Sequence, residues 1–526
     1  MKLNKISIKN AAEQLNVSVV SIHNWIKDGS LRTTDNILTQ ENIDDFRDDF
    51  LKNKKLSSRA NKQYKDLHNH KTLTEVIKND LQSAMSGDDV SLKYESSLSE
   101  SYKNKEGIYY TPKYIIEDML KSIGITENKT FLDPCCGSGN FIIEAIKKGI
   151  SPENVYGFDV DENAVAITKK RIKEISGHDS KNIICADFLS QQPVANSQQF
   201  DYIFTNPPWG KKIKKADKVR YSYFYNSGNV LDTSAIFYFA CLNVLKKDGM
   251  IGMLLPDSFF NIGSFENARI SLLSLKINRF VDYGKAFKEL MTKAMAFIAT
   301  NANSQQPTAN SQIQCEIYNV KKHLRSQESF VDIPKHIFNF HIEESESDII
   351  RRVFSLPHIT LKDNAKWGLG IITGNNEKIC KKEKTNGFVP IYRGKDILKN
   401  DLAEPSLYIG ENLEGCRQVA DLCLYKAPEK VIYRFISNRI VCFYDTEQRY
   451  ILNSANLFVL NEEFPISYSQ LVDLLNSDFM NWLFRSIFNT HKILRSDLEA
   501  LPIIHEYFKE NEVFSEKTFK KYLSIL

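Results

Sequence analysis

The middle of this chain is predicted to be an α/β fold with a Rossmann-like parallel sheet. A small helical module precedes it and an independent α+β domain follows. Three observations lead there. Between residues 106 and about 322, short β-branched runs alternate with helical stretches, the pattern of strands joined by crossover helices. One such run passes through two glycines straight into an apolar helix, in "FLDPCCGSGNFIIEAI". On either side of this region the alternation is lost.

Strands are expected at "TFLD", "NVYGFDV", "NIICADF", "FDYIFTN", "GMIGMLLP", "INRFVDYG" and "AMAFIAT". Two related polar fragments, at 191–199 and 302–312, cannot bury a core and are expected to be surface loops. Residues 1–58 read as a helix-turn-helix module. Ile8, Ala11, Ala12 and Leu15 share one helical face, Ser18 caps a second helix, and Val19, Ile22 and Trp25 or Ile26 point inward before Gly29 ends it. Residues 59–99 read as a polar helical connector, 100–322 as the central domain and 323–526 as the C-terminal domain.

With 526 residues, more than one core is expected. A content of 42% hydrophobic and 25% charged residues is ordinary for a soluble globular protein. The net charge of +4 is slight, so nucleic-acid binding has to come from local patches. Nine cysteines without a CxxC pair or a His cluster argue for a reducing cytosol, with neither a disulfide framework nor a metal site. The first residues form no apolar signal core and no 18-residue apolar run occurs, so a cytoplasmic protein without a membrane partner is expected.

The glycine turn carries the first chemistry. Gly137 and Gly139 let the backbone turn tightly and approach a ligand, and no Gly-Lys-Ser/Thr follows as a phosphate loop requires. Asp133 ends the strand before the turn, where an amino group could be met, and Cys135 lies inside the turn. Asp159 ends the next strand, at the spacing where an acid meets ribose hydroxyls. Asp187 ends the third, placed to accept from an exocyclic amine, with Phe188 beside it to pack a purine face. Each acid alone would pass for an exposed loop residue. Three at successive strand ends line one crevice of an open sheet. The ligand they suit has an amino acid, a ribose and an adenine, which is S-adenosylmethionine. A dinucleotide competes, although the third glycine of its motif is missing.

After the fourth strand comes "NPPW", Asn206 to Trp209. Read in order, "GIYYTP", "DPCCGSGNF", "GFDVDENA", "ADF" and "NPPW" resemble the gamma-class DNA adenine-N6 methyltransferases of the TaqI type. The resemblance covers about residues 100–300 and implies a site-specific methyltransferase using S-adenosylmethionine. Asn206 and Pro207 would offer side-chain and backbone carbonyls to the two N–H groups of a flipped adenine, with Pro207 and Pro208 holding the loop stiff. Trp209 would stack on the base and Phe287 would cover its other face. Thr111 would contact the cofactor's carboxylate, with Tyr110 packed nearby. Trp stands where Tyr or Phe is more usual, and the Cys135–Cys136 pair also departs from the family pattern.

The C-terminal domain resembles TaqI-like target-recognition domains, down to a closing Leu-Pro-Ile. Arg393, Lys395, Arg434, Arg439, Lys492 and Arg495 are the candidate contacts to double-stranded DNA, and Thr373, Asn375 and Asn376 form a polar loop that could reach a base edge. The N-terminal module resembles MerR- and excisionase-type DNA binders. No nuclease set is visible, so the chain is expected to be either the modification enzyme of a restriction–modification system, with its endonuclease encoded separately, or a solitary methylase. Two rivals remain: an RNA or protein glutamine N-methyltransferase, and a DNA-binding regulator with a decayed catalytic domain.

Overall fold

A computed structural model describes residues 6–15, 19–27, 31–34, 37–52, 73–190, 198–210, 213–228, 232–287, 290, 292–302 and 311–524. The expected cap at Ser18, the stop at Gly29, much of the connector and most of both polar inserts lie outside those residues. By contacts the chain divides into two units, Met1–Pro256 with Asp282–Asn303, and Asp257–Val281 with Ser304–Leu526.

All seven expected strands form: β1 (Phe131–Asp133), β2 (Val155–Asp159), β3 (Ile183–Cys185), β4 (Phe200–Thr205), β5 (Leu245–Pro256), β6 (Lys276–Asp282) and β7 (Ala294–Thr300). In the first unit they run in the order β3-β2-β1-β4-β5-β7. The first five are parallel, with Asp133 opposite Gly157 and Asp159 opposite Cys185. The expected parallel sheet forms through β5, and β7 joins it antiparallel to β5, from Met250–Thr300 to Pro256–Ala294. β7 follows β6 after residues 283–293, which contain no helix among those described, so the strand–helix alternation that implies parallel pairing is broken just before it.

Reversal of strand order between β1 and β4 makes the crevice of a doubly wound sheet. The carboxyl ends of β3, β2, β1 and β4 follow one another, so Asp187, Asp159, Asp133 and Asn206 lie in a row. β4 is buried along its whole length, which gives the segment after it a fixed base.

Two expected boundaries move. Helix Gly87–Ser97, assigned to the connector, packs Val90, Tyr94 and Leu98 with Ile77 against Ala164 and Ile167 of helix Glu162–Ser176. The border at 322/323 would cut through strand β9 (Lys321–Ser326), which forms an antiparallel hairpin with β8 (Gln312–Ile317), and both fall in the second unit.

The N-terminal module folds as helices Ile8–Gln14, Val19–Lys27 and Gln40–Lys52 around Ala11, Leu15, Ile22, Trp25, Ile43 and Phe46. Val19, expected inside, is exposed at the first residue of its helix. In the second unit, strands Ala365–Leu369, Ala455–Leu460, Lys430–Arg434 and Cys442–Asp445 form an antiparallel sheet in that order. Helices Tyr468–Leu475 and Asp478–Phe488 share a core with one face of it.

Candidate active site

A cavity of about 540 Å³ opens at the carboxyl ends of β1–β4. Asp133, Cys135, Gly137, Asp159, Asp187, Phe188, Asn206, Pro208, Tyr110 and Thr111 all line it, whereas Gly139, Pro207, Trp209 and Phe287 do not.

The turn after β1 is built by its glycines. Gly137 and Gly139 have φ of +51° and +87°, the left-handed region that side chains resist. A Cβ on Gly139 would come within 2.7 Å of Thr168 Cγ2. Thr168 Oγ1 donates to the Gly137 carbonyl at 2.9 Å, and Arg171 Nη1 donates to the Ser138 carbonyl at 2.6 Å. On the other side the half-buried carboxylate of Glu95 accepts from Ser138 Oγ at 2.6 Å. This bracing was not anticipated: Glu95 sits in a polar helix whose charges look solvated when read singly.

Asp133 is only 1% exposed, and burial pushes its carboxyl up to about 7 from the ordinary 3.8, against the pull of its bond from the Cys135 N–H at 3.1 Å. Asp159 accepts the Gly137 N–H on Oδ2 and the Asp161 N–H on Oδ1, both at 2.9 Å, so it also ties β2 to the glycine turn. Asp187 accepts the Leu189 N–H on Oδ1 at 3.0 Å and the Tyr221 hydroxyl on Oδ2 at 3.3 Å. Phe188 packs between Phe158 and Phe237, 5.3 and 6.3 Å away by ring centroids.

"GIYYTP" and "NPPWG" are bonded to each other. The Trp209 N–H donates to the Gly107 carbonyl at 3.3 Å, and Gly107, with φ of +70°, has room for no Cβ: one would stand 2.7 Å from the Trp209 carbonyl oxygen. Asn206 Nδ2 donates to the Tyr109 carbonyl at 2.7 Å and to Thr111 Oγ1 at 3.1 Å. A backbone carbonyl can only accept, so the orientation of the amide is fixed. Asn206 Oδ1 is left buried without a hydrogen-bond partner. Thr111, expected at the cofactor's carboxylate, thus orients Asn206 here.

Trp209 and Phe287 differ from expectation. Trp209 is buried, with Nε1 donating to the Leu254 carbonyl at 3.3 Å. Its ring meets Phe287 edge to face, centroids 5.2 Å apart at 87°, which leaves no gap for a planar base between them. Tyr109, which had been given no role, packs 6.1 Å from Trp209 and 5.6 Å from Phe287.

Of the candidate DNA contacts in the second unit, Lys395, Arg439, Lys492 and Arg495 are exposed. Arg439 pairs with the exposed Asp478 at 3.1 Å, and Arg495 with Glu499 at 2.7 Å while lying over the Trp367 ring. The Lys492 ammonium stands 5.9 Å from the Phe435 ring. Two others are engaged internally: Arg393 grips both oxygens of Asp396, and Arg434 Nε donates to the Ile397 carbonyl at 2.8 Å. The polar loop also serves itself. Thr373 is buried against Asn376, and Asn375 caps helix Asn376–Ile379.

Residues 85–274 match the family model of the N-6 DNA methylases. Residues 389–503 match the TaqI-like C-terminal specificity domain. The type II methyltransferase M.VspI of Vibrio sp. (strain 343) is 45% identical over 397 residues, 75% of this chain and 96% of that protein. The chain belongs to the TaqI-like N-6 DNA methylases. It is a DNA methyltransferase of the restriction–modification kind, and the family selects DNA over the RNA and protein substrates weighed above. More distantly, the modification methylase CviBIII of Paramecium bursaria Chlorella virus NC1A is 27% identical over 202 residues, 36% of this chain and 48% of that one. The fold is also that of the type IIL restriction–modification enzyme MmeI, solved in complex with DNA, at a TM-score of 0.53 and 12% identity over 78% of this chain and 70% of that one.

Proposed function

We propose that this N-6 DNA methylase transfers a methyl group from S-adenosylmethionine to the exocyclic N6 of an adenine turned out of double-stranded DNA at a specific site. The unpartnered, buried Oδ1 of Asn206 carries this reading. An orphaned acceptor in such a place is destabilising unless a ligand satisfies it, by about 1–3 kcal/mol. A flipped base with an amino group would supply the missing donor.

The cavity suits the cofactor chemically. Asp133 would take its ammonium group, Asp159 its ribose, and Asp187 with Phe188 its adenine, while Gly137, Gly139 and Cys135 leave backbone close by and Tyr110 and Thr111 close the methionine end. When bound, S-adenosylmethionine supplies a methyl group activated by a sulfonium. The protein's part is to make the amine nucleophilic. The lone pair of an adenine amine is delocalised into the ring. Accepting both N–H groups, on Asn206 Oδ1 and the Pro207 carbonyl, draws the nitrogen toward a pyramidal shape and frees that pair. Both acceptors are neutral and held before the base arrives, by Tyr109, Thr111 and the fixed φ of the prolines. No covalent intermediate on the protein is required.

Trp209 and Phe287 would hold the flipped base once their edge-to-face contact opens. Lys395, Arg439, Lys492 and Arg495 would meet phosphates, and Arg393 and Arg434 would shape the surface beside them. The helix-turn-helix module would widen the DNA footprint. A separately encoded endonuclease and a cytoplasmic, nucleoid-associated location complete the reading, and no helix among the described residues is long and apolar enough to cross a membrane.

The test is methylation-sensitive sequencing of DNA from cells expressing the chain, beside an Asn206→Ala control. N6-methyladenine at one recurring sequence is expected with the wild type and none with the variant, while purified Asn206→Ala still binds S-adenosylmethionine. An unmarked genome, or a marked one in the variant, would overturn the reading.

A further inference from the structure

Helix Lys215–Tyr225 grips the loop that carries Asp187 and Phe188. Its two gripping residues, Tyr221 and Tyr225, are one turn apart and both 5% exposed. The Tyr225 hydroxyl donates to the Leu189 carbonyl at 2.9 Å, a bond to backbone that fixes the loop. The Tyr221 hydroxyl instead reaches a functional group, Asp187 Oδ2, at 3.3 Å, and Tyr221 lines the cavity.

The direction of that bond is determined. Arg220 Nη2 lies 3.1 Å from the same hydroxyl and can only donate, so the Tyr221 oxygen accepts from Arg220 and its hydrogen goes to Asp187. The Arg220 guanidinium is held 4.9 Å over the Tyr221 ring and pairs with Asp217 at 3.5 Å. Asp187 is therefore fixed at both oxygens, by the Leu189 N–H on Oδ1 and by Tyr221 on Oδ2. A carboxylate held at two points presents its remaining lone pairs in one plane.

We propose that Tyr221 is a positioning residue for cofactor recognition: it sets the plane in which Asp187 accepts the purine amine, and so makes the site selective for an amine over a carbonyl at that ring position. This rests on the assignment of Asp187 to the cofactor's adenine. A carboxylate free to rotate would still meet an amine, but with less difference between a donor and an acceptor.

Binding of two probes to the full chain separates the possibilities. Calorimetry would compare S-adenosylhomocysteine with S-inosylhomocysteine, in which a carbonyl oxygen replaces the purine amine. The variants are Tyr221→Phe, which keeps the ring, Tyr225→Phe as the backbone-gripping control, and Asp187→Asn. The wild type should prefer the amine-bearing probe. Tyr221→Phe should reduce that preference by about tenfold, the worth of one hydrogen bond to a charged group. It should raise KM for S-adenosylmethionine without changing kcat at saturation. Tyr225→Phe should weaken both probes alike. If Tyr221→Phe keeps the full preference, or weakens both probes equally, while Asp187→Asn abolishes it, Tyr221 only packs and the proposal is wrong. If Asp187→Asn also keeps the preference, the adenine assignment of Asp187 fails first and takes the proposal with it.

Discussion

Asn206→Asp is the sharpest perturbation of the site, because it keeps the size and one acceptor of the side chain while exchanging the donating NH2 for the second oxygen of a charged carboxylate. Two donated bonds vanish, to the Tyr109 carbonyl at 2.7 Å and to Thr111 Oγ1 at 3.1 Å, each worth about 1 kcal/mol net. A carboxylate oxygen would then face the Tyr109 carbonyl at that same distance, leaving a buried acceptor unsatisfied for roughly 1–3 kcal/mol more. The total of about 3–5 kcal/mol is enough to turn the side chain out of its place. Once it turns, the pre-set acceptor is lost, and kcat should fall by roughly 10²–10³, as when one aligned group is removed from a transition-state contact. The assay is the initial rate of labelled methyl transfer to DNA at saturating cofactor, with cofactor affinity measured separately. Affinity should hold while kcat collapses. A variant turning over within about tenfold of wild type would refute the reasoning, since a correctly aimed amide would then be unnecessary.

Asp133 gives a pH prediction. Its folded value of about 7 lies above the ordinary 3.8, so between those limits the native state holds a proton that the unfolded chain releases. This group's contribution to the stability of the cofactor-free protein therefore falls as pH rises from about 4 to about 7, by on the order of 4 kcal/mol at most. Urea midpoints of wild type and Asp133→Asn should diverge over that window, the variant gaining relative stability toward pH 7, and parallel curves would contradict the burial argument. Gly107→Ala should lower the melting temperature and the activity together, because left-handed backbone costs a side chain roughly 1–2 kcal/mol and the new Cβ would meet the Trp209 carbonyl. Phe287→Ala should lower kcat/KM for DNA by roughly tenfold if the ring stacks on the flipped base, with cofactor affinity unchanged as the control.

The strands of the first unit were legible because β-branched runs between glycines, prolines and helical stretches have few other readings. So was the row of acids, since Asp133 and Asp159 close their strands and Asp187 lies two residues past the end of β3. What escaped depended on partners distant in sequence. The bond of Thr111 to Asn206 escaped because the two lie 95 positions apart. The direction of β7 was missed because the strand–helix alternation that implies parallel pairing is broken just before it, where residues 283–293 hold no helix among those described. Glu95 was invisible because a carboxylate in a polar helix reads as solvated until Ser138 and Asn140 are found against it. Arg393, Thr373 and Asn375 have the composition of a DNA-reading surface and also hold their own loops together: Arg393 grips Asp396, Thr373 bonds Asn376, and Asn375 accepts from the backbone of Lys378.

The two motifs that stand furthest apart in sequence make a single rigid object. β4 is buried throughout, so the backbone at Asn206 cannot shift without disturbing the centre of the sheet. The prolines remove torsional freedom on the far side, and Tyr109 with Thr111 fix the amide across the top. Trp209, Phe287 and Tyr109 touch one another through edges and tilted faces, contacts worth about 0.5–1.5 kcal/mol each beyond their buried area. A base stacked on an aromatic ring returns roughly 1–3 kcal/mol, enough to replace one such contact. On the proposed reading the acceptors would be set in advance, while the stacking surface would form on arrival. A base lacking an amino group could gain the second without ever satisfying the first, so selection for the amine falls to the part of the site that does not move.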